Sequence, residues 1–257
     1  MKVESGEWKA ESGKPGLGLL SAAGRGLRDL YSGVMDLIYP PHCVVCRDAG
    51  DGYLCPKCAD KITLIKPPVC YKCGTPGEAF MCDECYQREY AFECARSAGI
   101  FDGPLRDAIH AMKYRNYEAV VDPLAQIMIR AFPDTGLARN TDVLVPIPIH
   151  YSRLLDRGFN QSEELARKLA GRIGLPMEAK VLRKSRKTAH QVDLPLDERA
   201  LNVRGSLSVK HEQKIRAKRV LLIDDVFTTG ATLDEAARVL LEAGASEVRA
   251  YTLARSL

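Results

Sequence analysis

The chain has 257 residues, 46% of them hydrophobic and 27% charged, and a formal net charge of +4; this is enough apolar material for one domain of ordinary size and a smaller one beside it. No apolar run approaches the length needed to cross a bilayer. The first thirty residues alternate charge with glycine and serine where a secretory leader would be unbroken and apolar, so the expectation is a soluble, cytoplasmic protein without a spanning segment. In chain order, residues 1–26 are glycine-rich and of mixed charge and are expected to be a disordered tail, followed by a short amphipathic helix within 27–40.

Cysteines then fall as CVVC (43–46), CPKC (55–58), CYKC (70–73) and CDEC (82–85), with Cys94 left over. Each half is a CxxC pair, eight residues and a second CxxC pair, and the second half repeats the first after 27 residues, which marks an internal duplication. A CxxC knuckle turns two thiolates toward one point, and two knuckles complete a tetrahedral shell around Zn²⁺. A closed shell of four thiolates leaves no position for water or substrate, so both sites are expected to be structural. They would stabilise a segment, 41–90, that lacks the large apolar side chains for a core of its own, giving two parts with separate sources of stability. Disulfides are the rival reading, and a reducing cytoplasm disfavours them. Spacing leaves open whether the shells are sequential (Cys43, Cys46, Cys55 and Cys58, then Cys70, Cys73, Cys82 and Cys85) or crossed, with duplication favouring the former. Cys94 reads as a small buried hydrophobe.

From residue 95 on, short apolar runs alternate with helical patterns, the mark of an α/β domain with a mostly parallel sheet. Strands are predicted at 97–101, 142–148, 179–183, 219–224 and 247–255. Leu105, Ile109 and Met112 recur at helical spacing, as do Leu165, Leu169 and Ile173 behind an Asn160 N-cap; Pro123 after Asp122 opens another helix, and a last one, 233–243, stops at Gly244. From Lys180 to Arg219, twelve lysines and arginines face four acids, a local charge of +8. That is either a solvated loop or a surface visited by something anionic.

Residues 220–232 read VLLIDDVFTTGAT. In such sheets ligands bind at the carboxyl ends of the strands, where this segment puts two carboxylates, Asp224 and Asp225, and then a turn leading into a helix near Ala231. Helix N-terminal amides and the hydroxyls of Thr228, Thr229 and Thr232 suit a phosphate, and Gly230 lets the backbone come close to it. The carboxylates, taken as unpaired, suit hydroxyls and hydrated Mg²⁺ at the other end of the same ligand. An ATPase reading fails for want of a GxxxxGK[ST] loop, and a phospho-acceptor domain would place its acidic pair near the start of the domain.

VLLIDDVFTTGAT resembles the phosphoribosyl pyrophosphate (PRPP) signature of type I phosphoribosyltransferases. GPLRDAIHAMKY (103–114), VPIPIHYSRLLDRGFNQSEELA (145–166) and LRKSRKTAHQVDLPLDERALNVRG (182–205), behind paired cysteine knuckles, look like the ComF family, the competence-associated branch of that fold. The resemblance implies a type I phosphoribosyltransferase fold over 95–257, preceded by a small double zinc ribbon. It implies that Asp224 and Asp225 contact the ribose hydroxyls, and that Thr228, Thr229, Gly230, Ala231 and Thr232 hold the 5′-phosphate. Ile147, Pro148, Ile149, His150 and Tyr151 would form the pyrophosphate loop, with Arg153 and Arg157 nearby. Lys184, Arg186 and Thr188 would belong to a flexible loop closing over PRPP and Mg²⁺. Two functions are then expected to compete: a phosphoribosyltransferase of unknown acceptor, and a PRPP-sensing or single-stranded-DNA-binding module of DNA uptake that works with other competence proteins.

Overall fold

Nine residues of unbroken β character, Arg219–Phe227, run through the middle of the molecule as strand β5 and set the position of everything else. The computed structural model describes residues 41–50, 52–114, 118–185 and 203–257. The tail and helix expected before residue 41, and Arg186, Lys187 and Thr188, lie outside the described residues. His42–Leu257 form one unit.

Its main sheet has four parallel strands in the order β1 (Ala95–Ile100), β6 (Glu247–Arg255), β5, β2 (Val143–Pro146). A parallel sheet is buried on both faces, so its strands read as continuous apolar runs. In β5 the alternate residues Leu221 and Ile223 join one buried cluster, and Val220 and Leu222 the other. On the first face lie α3 (Gly103–Tyr114), α4 (Val121–Ala131) and α6 (Gln161–Ile173), through Leu105, Ile109, Leu124, Met128, Leu165 and Leu169. On the second lies α7 (Ala231–Glu242), through Leu233, Ala236 and Leu240. Helix α6 begins as the sequence suggests: the Asn160 carboxamide oxygen accepts the Ser162 N–H at 3.2 Å, satisfying an amide that the first helical turn leaves open.

One predicted strand is placed differently. The pattern at 179–183 predicts a strand of the main sheet, but the strand formed is β3 (Leu182–Lys184), which pairs antiparallel with β4 (Leu207–Val209) in a separate two-stranded sheet. Only Leu182 and Leu207 of these strands are buried, in the cluster shared with α7, so the ribbon is a one-sided flap and not a core strand. The short helix α5 (Tyr151–Arg157), also not foreseen, has no buried residue.

The cysteine segment carries two one-turn helices, α1 (Pro56–Ala59) and α2 (Asp83–Gln87), each beginning within a second knuckle, directly after its first cysteine. Contrary to the expectation of separate stability, the two halves have, among the described residues, no core apart from the sheet's own. Cys43, Leu54, Cys55, Cys58 and Ile62 belong to the first-face cluster, and Cys70, Cys73 and Cys85 to the second. The duplicated halves therefore clasp the sheet from opposite sides.

Candidate metal and anion sites

In each half the four thiol sulfurs lie within 4.8 Å of one another: Cys43, Cys46, Cys55 and Cys58 in one group, Cys70, Cys73, Cys82 and Cys85 in the other. The sequential arrangement is thus the one formed. Cys46 and Cys55 sulfurs are 3.7 Å apart, Cys73 and Cys82 3.6 Å. A tetrahedron of 2.3 Å Zn–S bonds has edges of about 3.8 Å, so the spacing fits a shared metal. The backbone repeats too: the Cys55 N–H donates to Cys43 Sγ and the Cys82 N–H to Cys70 Sγ, each at 3.4 Å, the kind of contact that steadies a metal-bound thiolate. Cys94 is buried and belongs to neither group, as expected.

At the carboxyl end of β5, Asp224 and Asp225 are held by different partners. Asp224 Oδ1 accepts from the Ser162 hydroxyl at 2.8 Å and from the Asp225 N–H at 2.9 Å. Asp225 Oδ2 forms an ion pair with Lys113 Nζ at 2.9 Å, both side chains largely buried. The reading of two unpaired carboxylates is corrected here: one is neutralised by a lysine from α3. Burial, reinforced by the Asp225 charge, pushes Asp224 up to about 7, so this is the member of the pair left wanting a cation or a donor.

Three residues on, the chain turns. Gly230, with φ +74°, caps α7. An ideal Cβ there would stand 2.7 Å from Phe227 Cζ and 3.0 Å from Tyr90 Cε1, so both dihedral and space require glycine. The Thr229 carbonyl accepts from Tyr90 OH at 3.1 Å and Arg88 Nη1 at 3.2 Å. In a trans peptide the following N–H points the opposite way, which aims the Gly230 amide away from the ribbon. The Asp234 carboxylate receives the Ala91 N–H at 2.7 Å, fixing the first turn of α7 to the same segment. Thr228 and Thr229 also share an open cavity of about 400 Å³ with Thr75 and Glu84 of the second ribbon and Arg255 of β6.

The loop after β2 is tied to this centre. Ile147 is buried and its N–H donates to the Ile223 carbonyl at 2.9 Å; its own carbonyl accepts from Asn160 Nδ2 at 3.1 Å. Pro148, Ile149 and His150 are partly buried, and Tyr151 is exposed. His150 caps α5 through Nδ1, which accepts the Ser152 N–H at 3.2 Å. Lys184, on β3, is lowered to about 8 by burial and by the Arg153 charge, with Asp224 pulling the other way, so β3 brings this ammonium within electrostatic reach of both. Carboxylates, threonine turn, post-β2 loop and Lys184 thus converge on one end of the sheet.

Residues 34–95 match the double zinc ribbon domain family, and residues 113–257, more than half of the chain, match the phosphoribosyl transferase domain family. The chain is 28% identical over 162 residues to Competence protein F of Haemophilus influenzae, an alignment covering 62% of this chain and 71% of that protein. It is 30% identical over 165 residues to DNA utilization protein YhgH of Salmonella typhimurium, covering 63% and 71%. The chain belongs to the ComF family. Competence protein ComFC of Bacillus subtilis is similar as well, 28% identical over 166 residues that cover 63% of this chain and 64% of that protein. The ComF-family fold is the type I phosphoribosyltransferase fold behind a double zinc ribbon, as the motifs suggest. Among the described residues no helix is long and apolar enough to cross a membrane.

Sequence reasoning did not single out Lys113, Ser162, Arg88, Tyr90 or Arg255 as site residues. Lys113 sits inside a stretch already likened to the ComF family, and its place at the end of α3 was the available signal. The others act across 62 to 182 residues of chain, a separation that leaves no local pattern.

Proposed function

We propose that this ComF-family chain binds PRPP together with Mg²⁺ and acts as a phosphoribosyltransferase or PRPP-gated module in DNA uptake. One observation carries the reading: a half-buried carboxylate at the carboxyl end of β5, Asp224, stands four residues before a glycine-dependent turn at the N-terminus of α7. Hydroxyls and phosphate of one ligand span that distance, with the helix N-terminus favouring the anion. Asp224 and Asp225 offer the hard oxygens that Mg²⁺ prefers, and the ion would neutralise charge on a departing pyrophosphate. The residues position: Asp224 orients ribose hydroxyls, the Thr228–Thr232 turn holds the 5′-phosphate, and Lys184 and Arg153 face the leaving group. Calorimetric titration with PRPP and Mg²⁺ tests this, and heat indistinguishable from dilution would refute it. Pyrophosphate release with a panel of bases and amines then separates turnover from binding.

Lys184 gives the site a pH dependence. With its ammonium lowered to about 8, the charge is complete below pH 7 and lost by pH 9. Affinity for inorganic pyrophosphate is expected to fall by about tenfold across that range, the worth of one charge-assisted hydrogen bond. Lys184→Arg, which stays protonated, is expected to flatten the curve.

A second reading rests on the second ribbon's surface. Tyr71 and Phe80 stack at 5.2 Å and are 40% and 70% exposed, a platform on which a nucleic-acid base can stack for about 1 to 3 kcal/mol. The names of the relatives, with their references to competence and DNA utilization, agree. Binding of a labelled single strand is expected to weaken with salt, with a log–log slope of about −0.7 per phosphate neutralised. If the basic segment around Lys184 serves both ligands, PRPP with Mg²⁺ competes with the oligonucleotide, and the effect is reciprocal. Absence of strand binding at low salt would leave the small-molecule function alone.

A further inference from the structure

The two cysteine shells share one sequence pattern, yet they are wired to the molecule differently. Among the described residues the first shell is held within its own ribbon, by Cys43 N–H to Asp48 O at 2.9 Å, Val44 N–H to Tyr53 O at 2.9 Å and Cys55 N–H to Cys43 Sγ at 3.4 Å, and the second repeats these bonds through Cys70 N–H to Thr75 O at 2.8 Å, Tyr71 N–H to Phe80 O at 2.8 Å and Cys82 N–H to Cys70 Sγ at 3.4 Å. Cys43, Cys55 and Cys58 of the first shell pack on the α3 face of the sheet. The second shell is gripped from the end of β6. The Arg255 guanidinium donates through Nη1 to the Cys73 carbonyl at 2.8 Å and through Nη2 to Cys73 Sγ at 3.3 Å.

Arg255 is 3% exposed, and its guanidinium lies 4.2 Å from the centre of the Phe227 ring. That ring in turn presses on Gly230, filling the space a Cβ would need. Backbone bonds lock the same stack: the Ser256 N–H donates to the Phe227 carbonyl at 2.9 Å. Tyr90, a few residues beyond Cys85, bonds Thr229 O from the other side and stacks on Phe92 at 4.7 Å, which meets Phe227 edge-on at 6.2 Å. From Cys73 to Gly230 there are thus only two side chains, both immobilised.

We propose that Arg255 is a positioning residue that makes the second shell, and not the first, part of the anion-holding turn, so that metal binding at Cys70, Cys73, Cys82 and Cys85 and anion binding at Thr228–Thr232 are energetically linked. The physical reason is that one guanidinium serves two masters. Its fork is aimed by the Cys73 carbonyl and sulfur, and a sulfur that carries a metal is an acceptor fixed in place, whereas the side chain of a released cysteine can rotate away. An unaimed guanidinium no longer braces Phe227, and Phe227 no longer fixes the φ +74° corner on which the amides of the turn depend. The reverse follows by reciprocity: an anion in the turn tightens the brace and alters the field at Cys73. The assignment of an anion to this turn is the reading proposed above, and the test keeps the two apart.

The full chain loaded with ¹¹³Cd²⁺ in place of Zn²⁺ gives one resonance per shell, assigned by comparison with Cys46→Ser and Cys82→Ser. Adding PRPP with Mg²⁺, or inorganic phosphate in a parallel sample, is expected to shift the second-shell resonance and leave the first in place. Ligand heat with an unmoved second-shell resonance overturns the linkage, while absence of ligand heat overturns the anion reading only. The linkage then stands or falls on a measurement without ligand. Arg255→Lys keeps the charge but not the fork; it is expected to shift the second-shell resonance and to raise amide exchange across 226–234 severalfold, with both metals retained. Should that variant fail to fold, Phe227→Leu probes from the other end, and the expected result is again a shift at the second shell alone. A second-shell shift without faster exchange in 226–234, or equal shifts at both shells, refutes the proposal.

Discussion

Protein purified without added metal is expected to carry two Zn²⁺ per chain, and stripping them is expected to abolish cooperative unfolding. Structural zinc sites of four ligands are worth roughly 10–16 kcal/mol of apparent binding energy at neutral pH, while a whole domain of this kind is stable by about 5–15 kcal/mol. In a ribbon that merely flanked a domain, the loss would stay local. Here three ligands of one shell, Cys43, Cys55 and Cys58, lie in the cluster beneath α3 and three of the other, Cys70, Cys73 and Cys85, in the cluster beneath α7, so a released shell opens a face of the sheet. Elemental analysis gives the ratio. Thermal unfolding before and after treatment with a chelator gives the consequence, and a ratio near zero in a folded sample would overturn the assignment.

The second large effect separates two adjacent carboxylates that look equivalent in sequence. Asp225→Asn leaves Lys113 charged and largely buried without its partner, and breaking such a pair costs about 3 kcal/mol. For a chain of this size that lowers the unfolding midpoint by about 6–12 °C. Asp224→Asn works in the other direction. Its folded-state carboxyl, raised to about 7, lies above the unfolded value of about 3.9, so the native state holds a proton that the unfolded chain releases. The stability this group contributes is complete below about pH 4 and is lost as pH rises through 7. The variant is therefore expected to match the parent at pH 4 and exceed it at pH 8, and a gain that does not grow with pH would show that the raised carboxyl is elsewhere. Both changes, singly or together, are expected to remove PRPP binding, since neither amide can replace the anionic oxygens.

What was legible in the sequence was local. The 27-residue repeat announces two shells, the aliphatic run into Asp224 announces the central strand, and Thr-Thr-Gly before an amphipathic stretch announces the turn and α7; each signal sits within about a dozen residues. The pairing of Asp225 with Lys113, the hold of Tyr90 and Arg88 on Thr229, and the grip of Arg255 on Cys73 join residues more than a hundred positions apart. No periodicity records them. The misplacement of 179–183 has a similar cause: an apolar pair beside basic residues reads alike in a core strand and in a flap, and only the antiparallel partner at Leu207–Val209 decides.

The strand order β1-β6-β5-β2 also sets a timetable for synthesis on the ribosome. The two central strands are the last two described, so β1 and β2 leave the exit tunnel more than seventy residues before the partners that must lie between them. The cysteine repeat emerges earlier still and can take up its metal at once, but the sheet that completes the apolar faces on which both halves rest does not exist until β5 and β6 have arrived. A nascent chain therefore passes through a stage in which loaded ribbons expose the surfaces they will later bury. Such non-local closure folds slowly and is open to aggregation while it waits, which makes zinc supply and chaperone capacity during translation, and not only after it, determinants of how much active protein a cell obtains.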